Sequence, residues 1–411
     1  MIDLIFAREF PQQVIKALRR KDPQFDIDRL LVLDEQYRSL NVEVESLRAQ
    51  KNDLAQKAKS GVTQEIREQS VHLSKQLKEK EALVQKIHQE FMELYLYCPN
   101  VPFDEIPDGG KEANKVVREW GKKPEFSFDI KNHVELAQIN QWFDMEVAAR
   151  MTGSQFVFYK EMGAKVIYAL TMLMLKNNIK HGFTPFIPPF LVNEKALETA
   201  SNFPRFKPDV YSVENGALYL TPTAEVNLTN VYRDSILMAD QLPVRMTAWT
   251  SCFRSEAGGY GAQERGLIRI HQFEKVEIYS ICEPEKSLDE LESMVSCAEQ
   301  ILQALGLHYR VSLLAAQDMS FASAKTYDIE VWMPGQGRYY EVSSCSNCTD
   351  FQSRRGSIRY KKSQNDKTKF VHTLNASSLA LPRLMVAIME TYQQPDGTIR
   401  LPECLKGLGL F

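Results

Sequence analysis

The sequence predicts an α+β protein, a domain built on an antiparallel sheet and preceded by an antiparallel two-helix coiled coil. Three observations carry that prediction. Residues 28–97 hold a sustained three-four apolar repeat without a proline. From about 210 to 380, strand-like segments dominate, with helical patterns between them. Separating the two regions, "PNVPFDEIPDGGKEANKVV" is rich in Pro, Gly and acids and reads as a linker.

The totals fit a soluble globular chain with one large domain and an appendage, or with two domains. There are 411 residues, 44% of them hydrophobic and 25% charged, with a net charge of −3. A nucleic-acid partner would therefore have to be met by local basic patches rather than by a globally basic surface. The opening "MIDLIFAREFPQQV" carries early acids and no long apolar core, unlike a secretory signal, and no window reaches membrane-span length. Seven cysteines without a paired framework suggest a reducing cytoplasm. Cys345 and Cys348 form a lone CxxC with no second ligand pair, better read as two small buried residues in a sheet than as a zinc site.

In the first helix the apolar positions are Leu30, Leu33, Tyr37, Leu40, Val44, Leu47, Leu54 and Ala58. After a break at "KSGVT" they resume at Ile66, Leu73, Leu77, Val84, Ile87, Phe91 and Leu94. Two helices of roughly thirty residues, each about 45 Å long, share one narrow apolar seam and are otherwise polar, so the hairpin is expected to protrude into solvent. A dimerisation coiled coil or two helices of a bundle would show the same repeat. Beyond the linker, "KEMGAKVIYALTMLMLKNNIKHG" predicts an amphipathic helix ending at Gly182. It leads into "FTPFIPPFLVN", whose Pro185, Pro188 and Pro189 place it at a sheet edge, as a subunit contact or a plain surface strand.

The chemistry concentrates in "CFRSEAGGYGAQERGLIRIHQFEKVE", residues 252–277, which reads as a hairpin around a Gly-rich loop. Strand alternation puts Cys252, Arg254 and Glu256 on one face. In the second arm it groups Arg269, His271, Phe273, Lys275 and Glu277, with Ile268, Ile270, Val276 and Ile278 opposite. Charges of both signs around one aromatic ring suit either a solvated sheet face or the floor of a site for a ligand that is part ion and part flat ring. In "LYLTPTAEVNLTN", Thr223 is a candidate N-cap and Glu225 a first-turn acid. "YYEVSSCSNCTDFQ" sets Glu341 near Ser344, either a polar strand end or the hard oxygen donors of a Mg²⁺–phosphate complex. "LNASSLALPRLMVAIME" places Arg383 at the start of an apolar helix, where the helix dipole disfavours a cation and another task is implied.

In order, these segments resemble the seryl-tRNA synthetase family of class II aminoacyl-tRNA synthetases over nearly the whole chain. "GFTPFIPPFLVN" resembles motif 1, residues 252–277 motif 2, and "LNASSLALPR" motif 3, while "TPTAEV" and "EVSSCSNCTDFQ" resemble the seryl branch. The resemblance implies a tRNA-binding N-terminal domain over 1–105 and a class II catalytic domain over 106–411. It also implies formation of seryl-adenylate from L-serine and ATP with Mg²⁺, then transfer to tRNA(Ser), with tRNA(Sec) as a second acceptor, by a cytoplasmic homodimer.

Carried over residue by residue, the resemblance makes Arg254 and Arg383 catalytic. Arg254 would clamp the α-phosphate, and Arg383 would cover adenine and reach the γ-phosphate. Glu256 would hold the adenine amino group and Phe273 stack on the ring, with Ser255, Val342 and Ser343 completing the ATP site and Glu341 and Ser344 holding Mg²⁺. Serine would fall to Thr223, Ala224, Glu225, Glu277 and Ser377. The chain departs from the family in motif 3, where Ala376, Ser378 and Pro382 stand in place of the family's usual glycines, one of them just before the arginine, which puts nucleotide affinity in question. Basic "RRGSIRYKK", Arg354–Lys362, either tracks acceptor-stem phosphates or is a solvated strand. An amino acid:carrier-protein ligase, an inactive synthetase-like binding protein, and a threonyl or prolyl enzyme are the competing readings.

Overall fold

The computed structural model describes residues 1–59, 61–256, 266–407 and 409–410. The chain divides into two compact units, Met1 with Asp3–Pro99 and Ile2 with Asn100–Phe411. The expected loop "AGGYGAQERG" lies, apart from its last residue, outside the described residues, as does Ser60 of "KSGVT".

The first unit consists of helices α1 (Leu4–Glu9), α2 (Pro11–Lys21), α3 (Ile27–Ala58) and α4 (Gln64–Leu96). Asp26 caps α3 by accepting from the Arg29 amide, and Thr63 caps α4 by accepting from Ile66. The two long helices run antiparallel, because Arg29 pairs with Glu90, Glu43 with Lys80 and Arg48 with Glu81. Leu30, Leu33, Val44 and Leu54 are buried along the seam against α4, which buries Phe91 and Tyr95. Apolar burial supplies the stability here; the exposed ion pairs contribute little energy and mainly select the register. Asp34, almost fully buried, accepts a two-pronged bond from Arg8 at 2.7 and 2.6 Å and so ties α1 to α3.

In the second unit the stretch expected as a linker is fixed structure. Asn100 donates through Nδ2 to the carbonyls of Ala322 and Cys348, Ile106 is buried with Leu314 and Met319, and the chain then enters strand β1 (Lys115–Trp120). Proline, glycine and acids do mark turns, but the anchors between them are single residues that composition does not reveal. The remaining main-sheet strands are β2 (Thr184–Phe186), β3 (Val244–Phe253), β4 (Gln272–Cys282), β5 (Tyr309–Leu313), β6 (Lys325–Met333), β7 (Arg338–Asn347) and β8 (His372–Ala380). Their order is β1-β5-β6-β7-β8-β4-β3-β2, antiparallel throughout except for the parallel β2–β3 pair at the edge. The proline-rich segment thus takes the edge that its missing donors require.

Helices α5 (His133–Asn140), α6 (Glu161–Lys180), α8 (Ser287–Ala304) and α9 (Leu381–Thr391) pack on one face of this sheet; short α7 (Ala224–Thr229) lies on the other. Val276 and Ile278 of β4 enter the larger core with Leu170, Met294 and Leu384. Tyr279 and Ile281, pointing the other way, enter a second core with Met246 and Tyr360. Two sequence expectations change. The second arm becomes a strand only at Gln272, after a 3-10 turn at Gly266–Ile268. The small residues of "LNASSLA" belong to β8, and the apolar helix starts at Leu381.

Candidate active site

The middle of the sheet holds a compact polar cluster. Thr223 ends the approach to α7, where its hydroxyl accepts from the Glu225 amide as an N-cap. The same hydroxyl donates to Glu277 Oε2 at 3.0 Å and accepts from Lys275 Nζ at 2.7 Å, while Lys275 and Glu277 pair at 2.5 Å. Glu277 sits in register between Ala248 of β3 and Ser377 of β8. Lys275 is 6% exposed and Glu277 1%, so this end of the hairpin's polar face is enclosed, not a solvated sheet surface. A buried pair of this kind is weak evidence for stability and better evidence that a defined charge arrangement is wanted there. Glu225 accepts from Gln352 Nε2 at 2.7 Å. Burial, and then the neighbouring Glu277 charge, push its carboxyl up to about 7.

Beside this cluster opens a small, partly open cleft. It gathers Arg254, Glu256, Phe273 and Lys275 from the hairpin, Glu341 from β7, Ser377 and Ala380 from β8, and Pro382 and Arg383 from α9. The Arg254 guanidinium lies 5.2 Å from the Phe273 ring centroid, with Nε donating to the Pro222 carbonyl at 3.3 Å. Arg383, in the first turn of α9, donates from NH1 to the Glu341 carbonyl at 2.8 Å and to its carboxylate at 3.3 Å; its Nε reaches the Ile268 carbonyl at 3.2 Å. Backbone acceptors thus hold each guanidinium in place, the environment that a cation at a helix start needs. Leu267, Ile268 and Ile270 form the apolar wall. Strand alternation had set Ile268 and Ile270 away from the charged residues; the 3-10 turn breaks that period and turns them into the cleft.

Not every expected site residue faces this space. Glu256 does line it, but at φ +52° its Oε2 is engaged, accepting from Arg269 through both Nε and NH2. Ser255 donates its hydroxyl to the Pro208 carbonyl and is absent from the cleft lining. Val342 and Ala224 are core side chains, and Ser343 is buried with its hydroxyl on the Ser377 carbonyl at 2.5 Å, so none of these three side chains lines the cleft. Ser344 stands opposite Asp328 in the β6–β7 register. One carboxylate oxygen of Asp328, Oδ1, is buried without a hydrogen-bond partner, and burial followed by the Glu341 charge pushes the group well above the ordinary carboxylate range. No group of three His, Cys, Asp or Glu side chains suited to a metal occurs among the described residues. Glu341, Ser344 and the nearby Asp328 carboxylate are hard oxygen donors of the kind Mg²⁺ takes when substrate oxygens and water complete its shell, so the residues fit a phosphate-bound cation rather than an all-protein cage.

Of the three motif 3 departures, only Pro382 lines the cleft. Ala376 is a core residue, and the Ser378 hydroxyl donates to Asn178 Oδ1 of α6 at 2.8 Å. The left-handed backbone is carried instead by Leu379, at φ +76°, in the register shift where β8 meets Lys275 and Glu277. The family resemblance assigns Lys275 no role, although its position between Phe273 and Glu277 on the charged face is a usable signal. In the basic run, Arg355 is buried with NH1 on the Glu198 and Phe203 carbonyls, and Arg354 pairs with Asp350, so both serve the fold.

An antiparallel sheet whose cleft is flanked by two arginines, one just past a strand and one at a helix start, beside an enclosed acid–lysine cluster is the arrangement of a class II aminoacyl-tRNA synthetase. The tRNA synthetase class II core domain (G, H, P, S and T) matches residues 209–392, and the seryl-tRNA synthetase N-terminal domain matches residues 1–102. The serine–tRNA ligase of Syntrophobacter fumaroxidans is 43% identical over 99% of this chain and 98% of its own length; that of Caldanaerobacter subterraneus is also 43% identical, over 99% and 97%. The crystal structure of seryl-tRNA synthetase from Pyrococcus horikoshii complexed with ATP is 33% identical, covers 100% of this chain and 98% of its own, and superposes with a TM-score of 0.93. A prolyl-tRNA synthetase from Giardia lamblia, 17% identical with a TM-score of 0.59 over 68% of this chain and 57% of its own, shares the fold alone. The chain belongs to the seryl-tRNA synthetase family.

Proposed function

We propose that this chain joins L-serine to ATP as seryl-adenylate, releasing pyrophosphate, and then transfers the seryl group to the 3′-terminal ribose of tRNA(Ser), releasing AMP. The observation that carries this reading is the meeting of two backbone-held guanidiniums, Arg254 and Arg383, in one cleft next to the Thr223–Lys275–Glu277 cluster. Activation brings a carboxylate to a polyphosphate, so two anions must meet and cations matter more than a general base. Arg254 holds the α-phosphate. Phe273 takes one face of adenine and Arg383 the other while reaching toward the γ-phosphate. Glu256 exchanges its bond to Arg269 for the adenine amino group. Glu341 and Ser344 would hold Mg²⁺, which would neutralise charge on the phosphates.

On the other side, Glu225 and Glu277 meet the serine ammonium, and Thr223 and Ser377 meet its hydroxyl. A site that hydrogen-bonds a substrate hydroxyl rejects an analogue lacking it by about 10⁴-fold or more, so alanine is excluded without editing. The first unit reads the tRNA through its long hairpin, by shape and phosphate contacts. tRNA(Sec) is served as a second acceptor, and the working form is a cytoplasmic homodimer. The seven cysteines are free thiols, in keeping with a reducing compartment, and no helix among the described residues is long and apolar enough to cross a membrane. Amino-acid-dependent ATP–pyrophosphate exchange across all twenty substrates tests the reading. Exchange should occur with serine, and exchange with a different amino acid instead would overturn it.

A further inference from the structure

Away from the reacting groups, α9 makes a second connection to the cleft. Glu390 lies seven residues beyond Arg383 and therefore on the same helical face. It is fully buried, and its carboxylate is saturated with donors: the His133 amide at 3.0 Å, His133 Nδ1 at 3.1 Å, the Gly335 amide at 2.9 Å and Gln336 Nε2 at 2.9 Å. The other ring nitrogen of His133, Nε2, accepts from the Leu267 amide at 3.3 Å. An imidazole that accepts at Nε2 keeps its proton at Nδ1, so the bond to Glu390 fixes both the tautomer and the ring plane. Leu267 and Ile268 are the apolar wall of the cleft, and Arg383 grips the Ile268 carbonyl from the other side. The chain arrives at this wall through Gly266, at φ +65°, where a Cβ would stand 2.3 Å from His133 Nε2.

We propose that His133, clamped by Glu390, is a positioning residue for the nucleotide: it holds the Leu267 amide and so sets the wall against which the nucleotide packs. α9 then governs the wall at two consecutive residues, Ile268 through Arg383 and Leu267 through Glu390 and His133. The serine cluster shares none of these bonds, so the effect belongs to ATP alone. This inference rests on the reading that the cleft takes ATP.

Pyrophosphate exchange with the full chain tests it. Asparagine at 133 places an amide donor near the Nδ1 position but falls short of Leu267, whereas glutamine reaches the Nε2 position with an acceptor. His133→Asn should raise the KM for ATP about three- to tenfold, the worth of one buried hydrogen bond, while the KM for serine stays within about twofold. His133→Gln should restore most of the ATP affinity lost in the asparagine variant. Gly266→Ala, whose Cβ would collide with His133 Nε2 and part the ring from the Leu267 amide, should also raise the KM for ATP, and it provides the test should the His133 variants fail to fold. Equal ATP constants for the two His133 variants, parallel movement of the serine constant, or an unchanged KM in G266A would overturn the proposal. Phe273→Ala and Arg383→Ala separate the two levels: if neither changes the KM for ATP, the location of the nucleotide is wrong, whereas if both do and His133→Asn does not, only the positioning role falls.

Discussion

At the scale of single residues, the site depends on charges whose neighbours define them. Arg254 rests on one carbonyl and one ring, which suits the proposal that the rest of its fork takes phosphate oxygens. Removing such a preorganised donor from a transition state typically costs about 10²–10³ in rate, so Arg254→Ala should abolish measurable serine-dependent exchange. Glu225 gives a pH test. With its carboxyl pushed up to about 7, it is neutral and blind to an ammonium below that pH and charged above it. kcat/KM for serine, which reports the free enzyme, should therefore rise with pH and level off above about 7. Glu225→Gln should flatten the rise at the low level; an unaltered profile would remove Glu225 from serine binding. Arg254, Phe273 and Glu277 stood out in the sequence because alternation put them on one face of a hairpin. Lys275 did not, since a lysine on a strand reads as a solvent group until its burial is known. Nor did Glu390 and His133, which lie far apart in sequence and meet only after folding.

Among the elements, the long hairpin was the most legible, because each apolar position of the three-four repeat is buried or half-buried in the folded unit. Its capping residues, Asp26 and Thr63, are ordinary helix starts. Deleting residues 28–97 should leave serine-dependent exchange intact and abolish charging of tRNA(Ser). Persistent charging in an acid-gel assay would refute the reading role of the hairpin. The stretch from residue 99 to β1 was misread for the opposite reason: its turns are visible in composition, whereas Asn100 and Ile106 gain meaning only from the carbonyls and side chains they meet. The 3-10 turn at Gly266–Ile268 hid behind a plausible strand period in the same way, and with it the apolar side of the cleft.

For the molecule as a whole, the exposed surface on and after α6 bears on assembly. Tyr168 is 63% exposed, Ile179 50% and Ile187 93%, a set of large side chains that the proposed homodimer would cover. Ile187→Asp should shift the sedimentation of the protein toward monomer, and an unchanged monomeric mass in the parent chain would exclude the dimer. The opposite margin of the sheet has a practical consequence. β1 presents Val116 and Val117 to solvent, yet a register shift between Val116 and Arg118 and the flanking charges of Lys115 and Arg118 keep it from templating a further strand. The strand beneath it, β5, has no such protection, because Tyr309 and Val311 are wholly buried. A catalytic fragment cut after residue 120 would lay that apolar margin bare, and light scattering should record aggregation; a fragment beginning at Asn100 keeps its own guard strand and should stay dispersed.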